Sequence, residues 1–305
     1  MDNRESGSLE KKVILKTFNA FASFCEKHKL KYFGAYGTCL GAIRHKGFIP
    51  WDDDMDVCMP REDYDKLLSL RGELHNSGYE IVNFGDKSSD YGIYTTSFAK
   101  FCNANTTIWE RMEWPCIYGE FIDVFPLDQV GDREEAKRLY EEYSKVTGKY
   151  ARTMRNWSMR HILRDVRRRD FRVLKSFLWN YLVRRPFKDY YYKKALKLEQ
   201  EIKKQKGSEI IYYGPGYGFE KEVFPKDFFN ELIKVPFEDT EIYVPAKYDE
   251  YLTHLFKDWR TLPPTEQRVS HHYHYFVDLN KRWTIADVKK LHIKFNEEEI
   301  NYIYE

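Results

Sequence analysis

Residues 47–57 read GFIPWDDDMDV, so four carboxylates, Asp52, Asp53, Asp54 and Asp56, fall within five positions. Two carboxylates about 4 Å apart repel by ~4 kcal/mol at an effective dielectric of ~20. Apolar residues flank the run, and the nearest cations in the chain are Lys46 and Arg61. Something else must offset the charge, and a metal ion is the simplest candidate. The spacing predicts a strand over 54–59, which puts Asp54 and Asp56 on one face and turns Met55 and Val57 into the core. Hard oxygen ligands of this kind suit Mg²⁺ or Mn²⁺, not zinc. An acidic loop capping a helix at Arg61 is the plainer alternative. Asp52 and Asp53 sit in a loop, and the pattern does not fix their direction.

Two further stretches bear on the same chemistry. Gly37-Thr38 follows a predicted strand, 31–36, and opens a short helical turn, a place where backbone N–H groups and a hydroxyl can meet a phosphate. Asp123 is a single carboxylate inside the apolar run FIDVF. A buried Asp is costly unless it is paired or metal-bound, so it is either the third ligand or the partner of a buried Lys or Arg. Arg44, His45 and Lys46 precede the acidic loop, and the planar fork of Arg44 suits a phosphate. Arg268, in PPTEQR, is a second phosphate candidate. His271, His272 and His274 are dense but lack a carboxylate or thiol partner for a metal. Donor binding suits His271, and a structural role suits His274. YYGPGYGF (212–219) lacks the context of a dinucleotide motif. It reads either as a loop over the site, with tyrosines that stack on a base or cage a quaternary ammonium, or as plain turn chemistry.

The elements that must position these groups alternate. A helix is predicted over 8–29, with Leu9, Val13, Phe18, Phe21, Ala22 and Cys25 on its apolar face. Pro60 opens a helix over 61–75 with Tyr64, Leu67 and Leu68 inward. Strands are predicted at 79–84, 94–101, 106–112 and 120–125, the last ending at Pro126. Asp132 and Glu135 form a capping-box-like start to a helix reaching about 155, and helical, basic sequence continues to about 206. The segment 207–246 mixes loops and short strands, 247–257 is helical, and 284–305 is a polar tail. This pattern predicts an α/β (α+β) fold with a mixed sheet. The implied division is a catalytic core over 1–130, a basic helical insertion over 131–205, a part completing the core over 206–280, and the tail over 281–305.

The chain has 305 residues, 42% hydrophobic and 17% aromatic, with a net charge of +2. That is ample for a core and excludes a uniformly basic nucleic-acid binder. Five scattered cysteines without a C-x-x-C pair argue for buried free thiols, not a disulfide framework. The N-terminus has no apolar leader, and no run is long enough to span a bilayer, which points to a cytoplasmic protein. Between Arg152 and Lys194, fourteen Lys and Arg face three Asp, a net charge of +11, with Trp157, Leu163, Phe171, Leu178 and Trp179 interleaved. This resembles a surface for anionic lipid at the inner face of the membrane. A solvated helical face balancing the acidic 132–142 helix is the alternative, and nucleic acid ranks third, since no binding motif accompanies the charge.

The stretch GTCLGAIRHKGFIPWDDDMDV (37–57), with PREDY (60–64), EFIDVFPLD (120–128), FPKDFF (224–229) and LPPTEQRVSHH (262–272), resembles the LicD family in three ordered blocks that span most of 30–275. The resemblance implies a nucleotidyltransferase-like fold of the polymerase-β class. It also implies transfer of phosphocholine from CDP-choline to a hydroxyl of a lipopolysaccharide, teichoic acid or capsule precursor, on a carrier that can be lipid-linked. Fukutin-like relatives move ribitol phosphate from CDP-ribitol. On this footing Gly37 and Thr38 match the phosphate turn, Asp54 and Asp56 the metal pair, and Asp123 the third carboxylate. Two divalent ions would clamp the attacking and leaving oxygens, with Asp123 as general base. Choline, ethanolamine, glycerol and ribitol all fit as head groups, with choline preferred on family frequency. The competing readings are a nucleotidyltransferase that moves an NMP from an NTP to a small molecule or RNA, and a non-catalytic membrane-surface adaptor.

Overall fold

The computed structural model describes residues 3–269 and 274–291. The first amphipathic pattern forms α1 (Asn3–His28), which buries Ile14, Phe18, Phe21 and Cys25 and leaves Leu9 exposed. The chain continues through β1 (Phe33–Gly34), α2 (Tyr36–His45), β2 (Asp56–Pro60), α3 (Arg61–Ser69) and β3 (Tyr79–Val82). Two short strands, β4 (Lys87–Ser88) and β5 (Gly92–Ile93), lead to the long β6 (Ala99–Trp109) and β7 (Tyr118–Val130). Next come α4 (Arg133–Met154), α5 (Met159–Arg167), α6 (Arg172–Trp179) and α7 (Lys188–Ile202), the last two joined by helical turns over 180–187. The rest comprises β8 (Glu209–Ile211), α8 (Phe219–Glu222), β9 (Phe224–Pro225), β10 (Leu232–Phe237), β11 (Thr240–Pro245), α9 (Tyr248–Phe256), β12 (Phe276–Asp278) and α10 (Ile285–Lys290).

The architecture is mixed α/β, as the alternation of elements predicts. An eight-stranded sheet runs β1-β2-β7-β6-β12, with β3 also on β6 and with β8 and β9 extending from β7. The β2–β7 pair is parallel, and the other pairings are antiparallel. Val57, Met59, Phe101, Ile122 and Val124 share one core with Phe18 and Phe21 of α1 and Tyr64 and Leu67 of α3. A second apolar cluster joins α4 and α7 to Ile211, Tyr213 and Phe219. The five cysteines are buried and unbridged.

Several boundaries differ from expectation, each for a local reason. The strand predicted over 54–59 begins at Asp56, because its ladder with β7 begins at the pair Asp56 and Asp123. The strands predicted at 94–101 and 106–112 are one strand, β6, crossed by a bulge between Asn103 and Ile108. Side chains take over there: the Thr106 hydroxyl donates to the Asn103 carbonyl at 2.8 Å, and its oxygen accepts from the Glu120 N–H at 2.6 Å. Gly119 opposes the bulge, and a Cβ there would overlap the Asn103 carbonyl oxygen. Strand β7 does not end at Pro126. Its β6 partner stops at Val124 and its β8 partner starts at Asp128, so the missing N–H of proline falls in the gap. The strand predicted over 31–36 shrinks to Phe33–Gly34, and the helix predicted over 61–75 ends at Ser69, followed by a single 3₁₀ turn.

Candidate active site

The carboxylates meet where three strands lie side by side. Asp56 opens β2, opposite Asp123 of β7, which in turn pairs with Lys100 of β6. The backbone of Asp56 is clamped: its carbonyl accepts from the Ala35 N–H at 2.9 Å, and its N–H donates to the Thr38 hydroxyl oxygen at 2.8 Å. The Asp123 N–H donates to the Met55 carbonyl at 2.9 Å. Asp54 precedes the strand, while Met55 and Val57 are fully buried on either side of Asp56 as the alternation predicts.

The phosphate-turn candidates sit at the start of α2. Tyr36 adopts a left-handed φ of +45° and donates its N–H to the Tyr251 hydroxyl at 3.1 Å. The amides of Gly37 and Thr38 fall in the first helical turn, where the ladder supplies no acceptor. Gly37 is demanded by close approach: a Cβ there would come within 2.8 Å of Asp52 Oδ2. The acidic loop therefore packs directly on the turn.

Electrostatics identify the site further. Burial pushes the Asp56 carboxyl well above its ordinary range, and the charges of Asp54, Asp123 and Asp52 push it the same way, against Lys100. Lys100 is the group that sequence reasoning missed. It is 2% exposed, donates to Asp123 Oδ1 at 2.6 Å, lies 3.6 Å from Glu110 and sits 3.3 Å above the Phe121 ring. Its carboxylate neighbours outweigh its burial and hold its pKa above the usual lysine value. The only sequence signal was FAKF, a lysine alternating with aromatics, and the expected cations near the loop were others. Arg61 turns away to Asp128, and Lys11 of α1 takes its place, bonding the Ile49 and Pro50 carbonyls at 3.4 and 3.3 Å.

Of the two readings for Asp123, pairing with a buried lysine is what the structure shows. Among the described residues, no three His, Cys, Asp or Glu side chains converge as a ready-made metal cage. The donor set nonetheless fits a divalent cation, since carboxylates crowd an end of the sheet that pushes one of them toward its neutral form. The Lys100 bond to Oδ1 does not exhaust Asp123, because a carboxylate offers about four acceptor positions.

Burial and the nearby charge of Arg268 lower the Arg44 pKa. Arg44 donates to the Trp259 carbonyl at 2.7 Å, and Arg268 stands 5.6 Å from the ring centroid of Trp51. His271 and His272 lie outside the described residues. His274 Nδ1 lies 3.0 Å from Glu10 Oε1, in keeping with a structural role. The 212–219 segment divides: Tyr212 and Tyr213 are core, whereas the Tyr217 ring is half exposed. Burial and the charges of Asp56, Glu222, Asp54 and Asp52 push its hydroxyl up to about 12, and its ring lies 5.7 Å from that of Tyr36 at the start of α2. Two cavities of about 900 Å³ lie elsewhere, and none of the three site aspartates lines either.

Comparison with known proteins identifies the family. Residues 29–193 match the family described as LicD/FKTN/FKRP, nucleotidyltransferase domain. The chain is 28% identical over 268 residues to the lipopolysaccharide cholinephosphotransferase LicD of Haemophilus influenzae, covering 85% of this chain and 93% of that protein. An uncharacterized protein of Rickettsia typhi is 31% identical over 134 residues, covering 39% of this chain and 42% of that protein.

Proposed function

Because the chain belongs to the LicD/FKTN/FKRP nucleotidyltransferase-domain family, we propose that it is a metal-dependent phosphotransferase. In this reading it moves a phospho-alcohol from a CDP-linked donor to a hydroxyl of a cell-surface glycan precursor and releases CMP. Choline is the proposed head group, supported by the likeness to the Haemophilus influenzae protein. The observation that carries the reading is the row of Asp56, Asp123 and Lys100 across β2, β7 and β6, with Asp54 beside it and the Gly37-Thr38 turn behind.

Asp54 and Asp56 would hold the divalent ion, Mg²⁺ or Mn²⁺, and Asp123 would complete its ligands. The ion, or a pair of them, supplies positive charge against the donor pyrophosphate. The other steps belong to the chain itself. The Gly37 and Thr38 amides and the guanidinium groups of Arg44 and Arg268 receive phosphate oxygens. The Tyr217 ring stacks on the cytosine or covers the choline. Asp123, held in place by Lys100, takes the proton of the acceptor hydroxyl as it attacks phosphorus, and CMP leaves with the bonding electrons. Little covalent chemistry is asked of the protein, so positioning and charge carry the rate.

The test is product analysis with Mg²⁺ and each of CDP-choline, CDP-ethanolamine, CDP-glycerol and CDP-ribitol, beside CTP. CMP release from one CDP-alcohol, abolished by chelator, is the expected result. Pyrophosphate release from CTP alone would replace this reading with nucleotidyl transfer, which the same aspartates serve.

A further inference from the structure

Ten of the seventeen exposed large apolar side chains among the described residues fall between Met159 and Tyr190. Phe171, Leu174, Leu178, Trp179, Leu182 and Val183 recur at three- and four-residue steps and line one apolar groove of about 340 Å³ on α6 and the turns after it. Leu182 is 67% exposed. The opposite side of the same helix is anchored inward through Val173 and Asn180, so the exposed stripe is a built face.

Basic residues are interleaved with that face along the chain, and Lys175 lines the groove itself. Arg160, Arg167, Arg169, Lys175, Arg185 and Lys188 are all exposed. The segment 152–194 carries +11 in a chain whose net charge is +2, so all the other residues together carry −9. The charge and the apolar surface are thus gathered in one place. No described helix is long and apolar enough to cross a membrane.

We infer that the α5–α6 face is a docking surface for an anionic phospholipid bilayer, with Leu178, Trp179 and Leu182 entering the acyl boundary and the arginines and lysines bound to the headgroups. Charge decides between occupants. A second copy seated on the same face would bring +11 against +11 across a two-fold axis, whereas an anionic bilayer answers both the charge and the apolar stripe. Arginine and lysine stems are long enough to leave their charged heads at headgroup level while the apolar residues insert. The surface would bring the enzyme to an acceptor on a lipid carrier, and only in that respect does the inference rest on the proposed transfer.

The experiment is co-sedimentation of the full chain with vesicles of phosphatidylcholine alone and with about 30 mol% phosphatidylglycerol, without nucleotide or acceptor, so the outcome is independent of the transfer reaction. Binding to the anionic vesicles only, released by high salt, is expected. Leu178→Asp/Leu182→Asp and Arg167→Glu/Arg169→Glu should each weaken it at least about tenfold. Both pairs alter exposed side chains, and unchanged circular-dichroism melts check that the fold is intact. No binding by the native chain, or equal binding by both variants, overturns the inference. So does a dimer in light scattering that Leu178→Asp/Leu182→Asp dissociates.

Discussion

Asp54 and Lys100 are charged residues of opposite consequence for the fold, and their substitution separates catalytic from structural charge. Asp54 adds to the repulsion that lifts the Asp56 pKa. Asp54→Ala is therefore expected to lose Mn²⁺ binding and at least about 10²–10³-fold in turnover, the scale of one preorganised charge-stabilising group. In chelator its stability should be unchanged or raised by on the order of 1 kcal/mol. Calorimetric titration and denaturant melts check both, and near-normal turnover would remove Asp54 from the site. Lys100→Met does the reverse, leaving Asp123 and Glu110 without their buried cation. It should cost about 3–5 kcal/mol, and Lys100→Met/Asp123→Leu should cost less than the two single changes together. Tyr217 stands apart from both, because it is half exposed and yet its hydroxyl feels the same charges. Tyr217→Ala should shift stability by no more than about 0.5 kcal/mol and raise the donor KM by the equivalent of about 1–3 kcal/mol of lost stacking. Tyr217→Phe should behave as the native enzyme, and a silent Tyr217→Ala would remove the ring from donor binding.

Elements are tied together by a second ion pair that does no chemistry in the proposed reaction. Arg61, first residue of α3, meets Asp128 of β7 in two parallel bonds of 2.8 and 2.6 Å and reaches Glu199 of α7 at 3.1 Å. Asp128 is 2% exposed, so either partner left alone is a buried, uncompensated charge. Arg61→Ala or Asp128→Ala should each cost about 3–5 kcal/mol in denaturant unfolding, whereas Glu199→Ala, at a less buried side chain than Asp128, should cost clearly less. Equal losses for all three would mean that the helical layer, not the pair, sets the stability. The same elements show what the sequence makes legible. The alternation around Asp56 could be read because Met55 and Val57 mark the buried face whether or not the ladder has begun. The β6 bulge could not, since Asn103-Ala104-Asn105 reads as a turn and the hydroxyl of Thr106 bridges it to β7. Pro126 misled for a similar reason: the partner gap that tolerates it is a property of β6 and β8, not of its own neighbours. Lys100 was hidden because a lysine between aromatics announces its burial only when the partner, twenty-three residues away, is known.

At the scale of the molecule, the family match ends at residue 193 while the site does not. Tyr251 accepts the Tyr36 N–H, Glu222 accepts the Tyr36 hydroxyl at 2.8 Å, and the Trp259 carbonyl holds Arg44. Each acceptor comes from beyond residue 205, and each acts on the α2 turn or its C-terminal end. The same stretch supplies Tyr212, Phe224, Phe237, Ile242, Tyr251 and Leu252 to the core that holds Val57, Met59 and Ile122. Burying one such side chain is worth about 1.5–3 kcal/mol, so losing six removes on the order of 10 kcal/mol, comparable with the whole stability of a typical domain, about 5–15 kcal/mol. A chain cut after residue 205 should therefore lack a cooperative melt, be cleaved rapidly by protease at sites protected in the full chain, and fail to bind Mn²⁺, although it retains Asp54, Asp56, Asp123 and Lys100. Circular dichroism and limited proteolysis of the two lengths side by side make the comparison. Cooperative unfolding with metal binding in the short chain would mean that the α2 turn is held by its own strand contacts and that the C-terminal stretch serves the substrate rather than the fold.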